Sequence, residues 1–147
     1  MPQALYTQPI TQSPYAIWSF LADLRNDRIW RLEIESSELE SGEPRQAGAR
    51  YREVLQWKGV RTEVVLQLVE SVPGCRLVIE TDDPGFHSRS TWTFEPMDGG
   101  ALVTLLFSLE TSGSLSVTEP VVWQIVSHWL ERDLPLLEGH LMYATPA

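Results

Sequence analysis

The pattern of apolar and polar positions divides the chain into one strand, a short helical region, a series of strands and a long final helix. Gln3 to Ile10 alternates weakly, which predicts a first strand. Ser13-Pro14 then combines a helix-capping residue with the residue best tolerated at the first helical position. The spacing predicts a helix from about Pro14 to Leu24, and Asn26 is a candidate cap for a second short helix that ends at Trp30.

Six further strands follow, separated by turn-forming residues. They are predicted at Glu33–Ser41, Arg50–Trp57, Val60–Glu70, Cys75–Thr81, Phe86–Glu95 and Ala101–Glu110. Lys58-Gly59 is typical of a two-residue hairpin turn, and it fixes a register in which Glu53 faces Val64. Apolar residues then fall mainly on one side of each strand and polar residues on the other, as expected of an antiparallel sheet with one solvated face.

The segment from Thr118 to Met142 carries large apolar residues at helical spacing, which predicts a long amphipathic helix. A strongly twisted antiparallel sheet can curl and offer this helix a concave face. The sequence therefore predicts an α+β fold: a curved antiparallel sheet of about seven strands wrapped around a long C-terminal helix, with two short helices between the first two strands. Pro135 interrupts the helical pattern and predicts a kink near Glu131–Asp133, which we expect to shape the deep end of the cavity.

Length and composition restrict the class of protein. The 147 residues, 43% of them hydrophobic, contain no linker, so we expect a single domain over residues 1–147. Twenty acidic and eleven basic residues give a net charge of −9, which disfavours nucleic acid as a partner, and the apolar runs are too short for a membrane span. Neither a signal-peptide pattern nor a second cysteine besides Cys75 is visible, so a cytoplasmic location is expected.

Several motifs together resemble a known family. They are Ser13-Pro14 with Trp18 and Leu21-Ala22-Asp23, Trp30 soon after, Trp92-Thr93-Phe94 ahead of Gly99-Gly100, and the amphipathic C-terminal helix. The combination resembles the START-like (SRPBCC) superfamily of helix-grip proteins, which includes polyketide cyclases/dehydrases, plant pathogenesis-related and hormone-receptor proteins, and lipid-transfer domains. The resemblance covers the whole chain. It implies the helix-grip fold, whereas function within the superfamily ranges from carriers to enzymes.

A cavity between the sheet and the final helix would have its mouth at the end of the sheet where strand counting places the turns 58–59 and 82–85 and the link 111–114. Family members use these loops as gates. The predicted register puts Glu53 in a layer with Val64, Ile79, Ser88 and Leu109. The candidate ligand-binding residues are Tyr51, Glu53, Leu55, Trp57, Thr62, Val64, Ile79, Thr81, Phe86, Ser88, Ser90, Phe107, Val122, Ile125, Val126 and Trp129.

Glu53 is the candidate catalytic residue, because a carboxylate on an apolar sheet face must find partners, reach water or hold a proton. Three interpretations stay open: contact with a ligand, a bulge that turns the side chain outward, or a structural hydrogen bond to Tyr51 or a backbone group. Ser88 and Ser90 either offer a ligand space and hydrogen bonds or fit beneath a large tryptophan.

The remaining motifs favour binding over other chemistry. The three histidines do not cluster, and no metal-ligand spacing, nucleophile elbow or phosphate loop occurs, so we expect no metal and no cofactor. The leading hypothesis is binding of a hydrophobic or aromatic small molecule of lipid, polyketide or isoprenoid type. The alternatives are a cyclase/dehydrase-type enzyme that uses Glu53 as general acid or base, and a protein-interaction module; a monomer and a homodimer are both open.

Overall fold

A seven-stranded antiparallel sheet forms most of the molecule. The computed structural model describes residues 3–57, 59–81, 86–111 and 119–144. The strands are β1 (Gln3–Ile10), β2 (Ile34–Ser41), β3 (Arg50–Trp57), β4 (Val60–Val72), β5 (Arg76–Thr81), β6 (Phe86–Met97) and β7 (Gly100–Thr111). Their spatial order is β1-β7-β6-β5-β4-β3-β2, and every neighbouring pair is antiparallel. The predicted curved sheet, helix-grip architecture and strand count are confirmed.

The helical region between β1 and β2 consists of α1 (Pro14–Leu21), a 3-10 turn (Leu24–Asn26) and α2 (Asp27–Trp30). The Ser13 hydroxyl accepts a hydrogen bond from the backbone N–H of Ala16 at 3.1 Å, which is the predicted N-cap. The first helix ends at Leu21 rather than Leu24. The reason is local: the Asp23 carboxylate accepts from the backbone N–H of Arg25 and starts the 3-10 turn.

The register of the sheet agrees with the prediction within the β3–β4 and β6–β7 hairpins. It differs from the prediction in the pairings of β5, which lies between these hairpins. Glu53 faces Val64, as the Lys58-Gly59 turn requires. Ile79, however, faces Leu68 on one side and Ser90 on the other, so the predicted layer that joins Ile79 to Glu53 is wrong. Val64 lies four residues before Leu68 on β4, so the layer of Glu53 is displaced along the sheet from that of Ile79. A β-bulge between Leu68 and Glu70 also shifts the pairing of β4 with β5 by one residue, and composition does not reveal such a bulge.

The C-terminal helical segment has three parts: α3 (Glu119–Asp133), a 3-10 turn (Leu134–Leu136) and α4 (Leu137–Ala144). The α-helix ends before Pro135, so the predicted kink within a continuous helix is wrong. Proline lacks an N–H and is tolerated at the start of a new helical turn, which is the position it occupies in the 3-10 turn. Within the part of the chain that the structure describes, no helix is long and apolar enough to cross a membrane.

The inner face of the sheet packs against the helices, and the outer face is polar. Buried leucines of the C-terminal segment, among them Leu130, Leu134 and Leu137, belong to the same core as Trp92 of β6. On the outer face Arg61 of β4 pairs with Glu35 of β2 at 3.0 Å, across the intervening strand β3, as expected of the solvated side. The site is therefore to be found between the inner face, α2 and α3.

Candidate functional site

A cavity of about 50 Å³ lies between the inner face of the sheet, α2 and α3. Its lining is mostly apolar, with three polar side chains, those of Asp27, Arg31 and Ser90. The lining residues are Leu21, Asp27, Trp30, Arg31, Leu66, Ile79, Ser90, Trp92, Leu105, Phe107, Val126 and Leu130. A concave apolar site with a few polar groups is the usual form of a small-molecule site.

The aromatic rings of Trp30, Trp92 and Phe107 line this cavity. Trp30 of α2 meets Trp92 of β6 edge to face, with ring centroids 6.0 Å apart and an interplanar angle of 75°. Phe107 of β7 stacks on Trp123 of α3, with centroids 5.9 Å apart and an angle of 20°. Flat apolar groups pack well against such surfaces.

A buried pair of carboxyl groups lies at the polar end of the cavity. Glu53 is 1% exposed and Asp27 is 7% exposed, and the two carboxyl groups are hydrogen-bonded to each other. The Ser37 hydroxyl donates to Glu53 Oε2 at 3.0 Å from the facing position on β2. Glu53 therefore points inward, and the interpretation in which a bulge turns it outward is wrong. Asp27 lines the cavity, whereas Glu53 lies behind it.

One proton is shared by this pair. Ionised carboxylates only accept hydrogen bonds, so a bond between two of them needs a protonated partner. Burial raises the pKa of Glu53 well above its ordinary value, and the nearby charge of Asp27 raises it further against the smaller opposing effect of Arg31. Burial also raises the pKa of Asp27, but the hydrogen bond from Glu53 and the charge of Arg31 offset part of this increase. Glu53 therefore holds the proton and Asp27 is the acceptor.

A network of ion pairs surrounds the carboxyl pair. Arg31 Nη2 lies 2.6 Å from Glu33 Oε1, and Arg132 Nη2 lies 2.8 Å from Glu33 Oε2. Arg132 also donates to both oxygens of Asp133, from Nε at 2.7 Å and from Nη2 at 2.8 Å. Burial opposes ionisation of Asp133, yet the hydrogen bonds and the positive charge of Arg132 leave its pKa lowered. These contacts join the end of α3 to the segment between α2 and β2.

The predicted site residues fall into five groups. Ile79, Ser90, Phe107 and Val126 line the cavity. Those buried elsewhere are Tyr51, Glu53, Thr81, Ser88 and Trp129. Leu55, Val64 and Ile125 are partly buried, and Thr62 is exposed. The side chains of Trp57, Phe86 and Val122 lie outside the described part of the structure. The turn residues expected at the mouth also lie outside it, apart from Gly59 and Thr111.

Two of the buried polar residues have structural partners. The Thr81 hydroxyl oxygen accepts from the backbone N–H of Ser88 at 2.7 Å. The Tyr51 hydroxyl lies 3.4 Å from Asp23 Oδ1, and burial together with the charge of Asp23 raises the pKa of Tyr51 to about 12. Neither hydroxyl belongs to the cavity lining, so their present contacts stabilise the fold.

Sequence reasoning missed the wall formed by α2 and the residue after it. Asp27, Trp30 and Arg31 all line the cavity. Asp27 and Arg31 are four residues apart, which is the spacing of an ordinary surface ion pair on a helix, so the sequence carries little sign of their burial. Over residues 3–57, 59–81, 86–111 and 119–144, no group of three or more His, Cys, Asp and Glu side chains is placed to hold a metal ion.

Comparison with known proteins gives one family and several similar structures. The family model described as polyketide cyclase / dehydrase and lipid transport matches residues 1–136. TTHA0849 from Thermus thermophilus is similar with a TM-score of 0.81 and 21% identity over 99% of this chain and 100% of that one. A START superfamily protein from Mycobacterium smegmatis has a TM-score of 0.79 and 16% identity over 97% and 99% of the two chains. Ara h 8.0201 has a TM-score of 0.75 and 14% identity over 97% and 98%.

At these identities the structural likeness establishes the fold alone. The comparison with curated protein sequences yields no match.

Proposed function

The chain belongs to the polyketide cyclase / dehydrase and lipid transport family, and we propose that it binds a hydrophobic or aromatic small molecule of lipid, polyketide or isoprenoid type in the cavity between the sheet and α3. The observation that carries this proposal is the cavity itself, with aromatic walls and a small polar end. Ile79, Phe107 and Val126 are the proposed apolar contacts, and Ser90 is a polar one. A buried carboxyl pair beside an apolar space is costly to maintain for packing alone.

The size of the cavity requires an opening step. A cavity of about 50 Å³ is far smaller than the roughly 150 Å³ that accommodates benzene. Arg132 ties the end of α3 to Glu33, so this end is the fixed one. The movement that admits a ligand is therefore an outward shift of the first part of α3, which separates Trp123 from Phe107.

Equilibrium dialysis with naphthalene and native mass spectrometry of the purified protein test this proposal. We expect saturable binding of one naphthalene per chain, or a bound mass carried from the cell. Val126→Trp fills the cavity from α3 and should abolish binding. Gln124→Trp adds the same indole at an exposed position of the same helix and should not. Absence of both a bound mass and saturable naphthalene binding in the unmodified chain would overturn the proposal.

An enzymatic function is the second candidate, and the carboxyl pair is the observation that favours it. A buried carboxyl group whose pKa is raised well above its ordinary value is suited to general acid or base catalysis. Glu53 is behind Asp27, so it would exchange its proton with substrate through Asp27. Glu53→Gln separates the two functions: loss of turnover with retained binding supports catalysis, and unchanged turnover of an established substrate removes Glu53 from the mechanism.

A further inference from the structure

We propose that Asp27 and Trp30 recognise a hydroxyl group of the ligand, while Glu53 holds Asp27 in position from behind; this inference rests on the proposed binding function and specifies its ligand class as apolar molecules that carry an alcohol or phenol. Asp27 is the acceptor in this arrangement and Trp30 is the donor. Both residues line the cavity, and they are three positions apart on α2.

The Trp30 indole N–H is the observation that points to a ligand. Trp30 is 3% exposed, and within the described residues its Nε1 has no partner in hydrogen-bond geometry. The group lies near enough to Asp27 to lower the pKa of that carboxyl, but it does not form a properly aligned bond. A buried donor without a partner costs free energy, and a ligand oxygen in the cavity would remove this cost.

Asp27 has free accepting capacity on the same side. A carboxylate has about four lone-pair positions, and Glu53 donates to one of them. Arg31 is nearby, but its guanidinium is bonded to Glu33 at 2.6 to 2.8 Å. A further donor that enters the cavity can therefore bond to Asp27 without displacing an existing partner.

A hydroxyl group matches both partners at once. Its O–H donates to Asp27 while its oxygen accepts from the Trp30 N–H. A carbonyl oxygen would satisfy Trp30 and leave the free accepting positions of Asp27 unused, whereas an ammonium group would bond to Asp27 and leave Trp30 unpaired. The apolar remainder of the ligand then lies against Trp92 and Phe107.

Protonated Glu53 fixes the net charge of the Asp27–Glu53 pair. The groups that face the pair are Arg31 and Glu33 from the segment after α2, Ser37 from β2, and Trp30. With Glu53 protonated, the pair carries one negative charge, and the Ser37 hydroxyl and the Asp27 carboxylate together hold the Glu53 side chain. Glu53 is thus a positioning residue for Asp27 and does not itself touch the ligand.

The test compares 2-naphthol with naphthalene, which share a ring system and differ in one hydroxyl group. In equilibrium dialysis the unmodified chain should bind 2-naphthol at least about tenfold more tightly than naphthalene, since a hydrogen bond to a charged group in a buried site is strong. Asp27→Leu should reduce the ratio of the affinities for 2-naphthol and naphthalene to nearly one, while naphthalene binding is preserved. Asp23→Asn alters a buried carboxylate outside the cavity lining and should preserve the preference.

Each outcome tests either hydroxyl recognition or the proposed binding function. Equal affinities for the two probes in the unmodified chain would overturn hydroxyl recognition and leave the apolar site intact. Binding of neither probe would overturn the proposed function itself. If Asp27→Leu does not fold, Asp27→Asn replaces the charged acceptor by a neutral one and should lower the preference several-fold; an unchanged preference would also overturn the inference.

Discussion

Arg132 Nη2, one residue before the end of α3, lies 2.8 Å from Glu33 Oε2 in the segment that leads into β2. The Glu33 side chain is 1% exposed and also receives Arg31 at 2.6 Å. Two guanidinium groups thus share one buried carboxylate. This contact ties the end of α3 to the segment that follows α2.

Arg132→Ala should therefore lower the free energy of unfolding. The substitution removes a donor from Glu33 and two guanidinium hydrogen bonds from Asp133, and both of these carboxylates are buried. Because the Arg132 side chain is 31% exposed, we expect a loss of about 1–3 kcal/mol, less than for a fully buried pair. Urea unfolding of Arg132→Ala and of the unmodified chain measures this loss of unfolding free energy. Arg52→Ala breaks exposed pairs with Glu40 and Glu63 and is expected to change the midpoint much less; equal losses for both variants would contradict the argument.

The register of β3 and β4 could be predicted from sequence because a two-residue turn leaves one alignment of the strands. The prediction that Glu53 faces Val64 is confirmed for this reason. The neighbours of Ile79 could not be predicted, since they depend on the bulge after Leu68. A bulge changes pairing without changing the alternation of apolar residues enough to be recognised.

The polar end of the cavity was predicted only in part. Glu53 could be identified because it is the one carboxylate on the inner positions of β3. Asp27 could not, because whether a helical residue is buried depends on which distant element covers it, here β3 and β2. Pro135 correctly indicated that the helix is interrupted near this residue. The predicted form of the interruption was wrong, since a proline is compatible with a kink or with the start of a new turn.

Gly100 and Gly139 should respond in opposite directions to alanine. A Cβ at Gly100 would collide with the backbone carbonyl of Ile10, so Gly100→Ala forces β7 away from the end of β1 and should cost about 1–3 kcal/mol or more. Gly139 is within α4 with open space around it, so Gly139→Ala should stabilise by roughly 0.5–1 kcal/mol. Thermal unfolding of the two variants checks both signs, and an undiminished stability of Gly100→Ala would show that β1 and β7 separate there at little cost.

Leu105→Ala should enlarge the cavity and make it accept benzene. Leu105 is 1% exposed and lines the cavity, so the truncation should cost about 2–5 kcal/mol. Benzene binds only the folded state of such a variant and should raise its melting temperature. Leu77→Ala truncates another buried strand residue away from the lining and should gain less from benzene. Equal gains for both variants would mean that the existing cavity contributes nothing to binding.

Glu53→Gln should remove a dependence of stability on pH. The folded state keeps a proton on Glu53 because its pKa is raised well above 4.5, whereas the unfolded chain loses that proton near 4.5. The folded state therefore binds more protons in the interval between these values. The contribution of protonated Glu53 to stability is then fully present below about pH 4.5 and is lost as the pH rises, by at most about 1.4 kcal/mol per pH unit.

Glutamine cannot ionise, yet its amide can donate to Asp27 and accept from Ser37, as protonated Glu53 does. The stability of Glu53→Gln relative to the unmodified chain should therefore increase from pH 5 to pH 8. Urea unfolding at four pH values in this interval measures the difference, with Glu63→Gln at an exposed position of β4 as the control. Carboxylates with lowered pKa, such as Asp23, lose their contribution only at more acidic pH and do not affect this interval. Parallel curves for Glu53→Gln and the unmodified chain would show that Glu53 ionises normally in the folded protein, and the single shared proton would have to be abandoned.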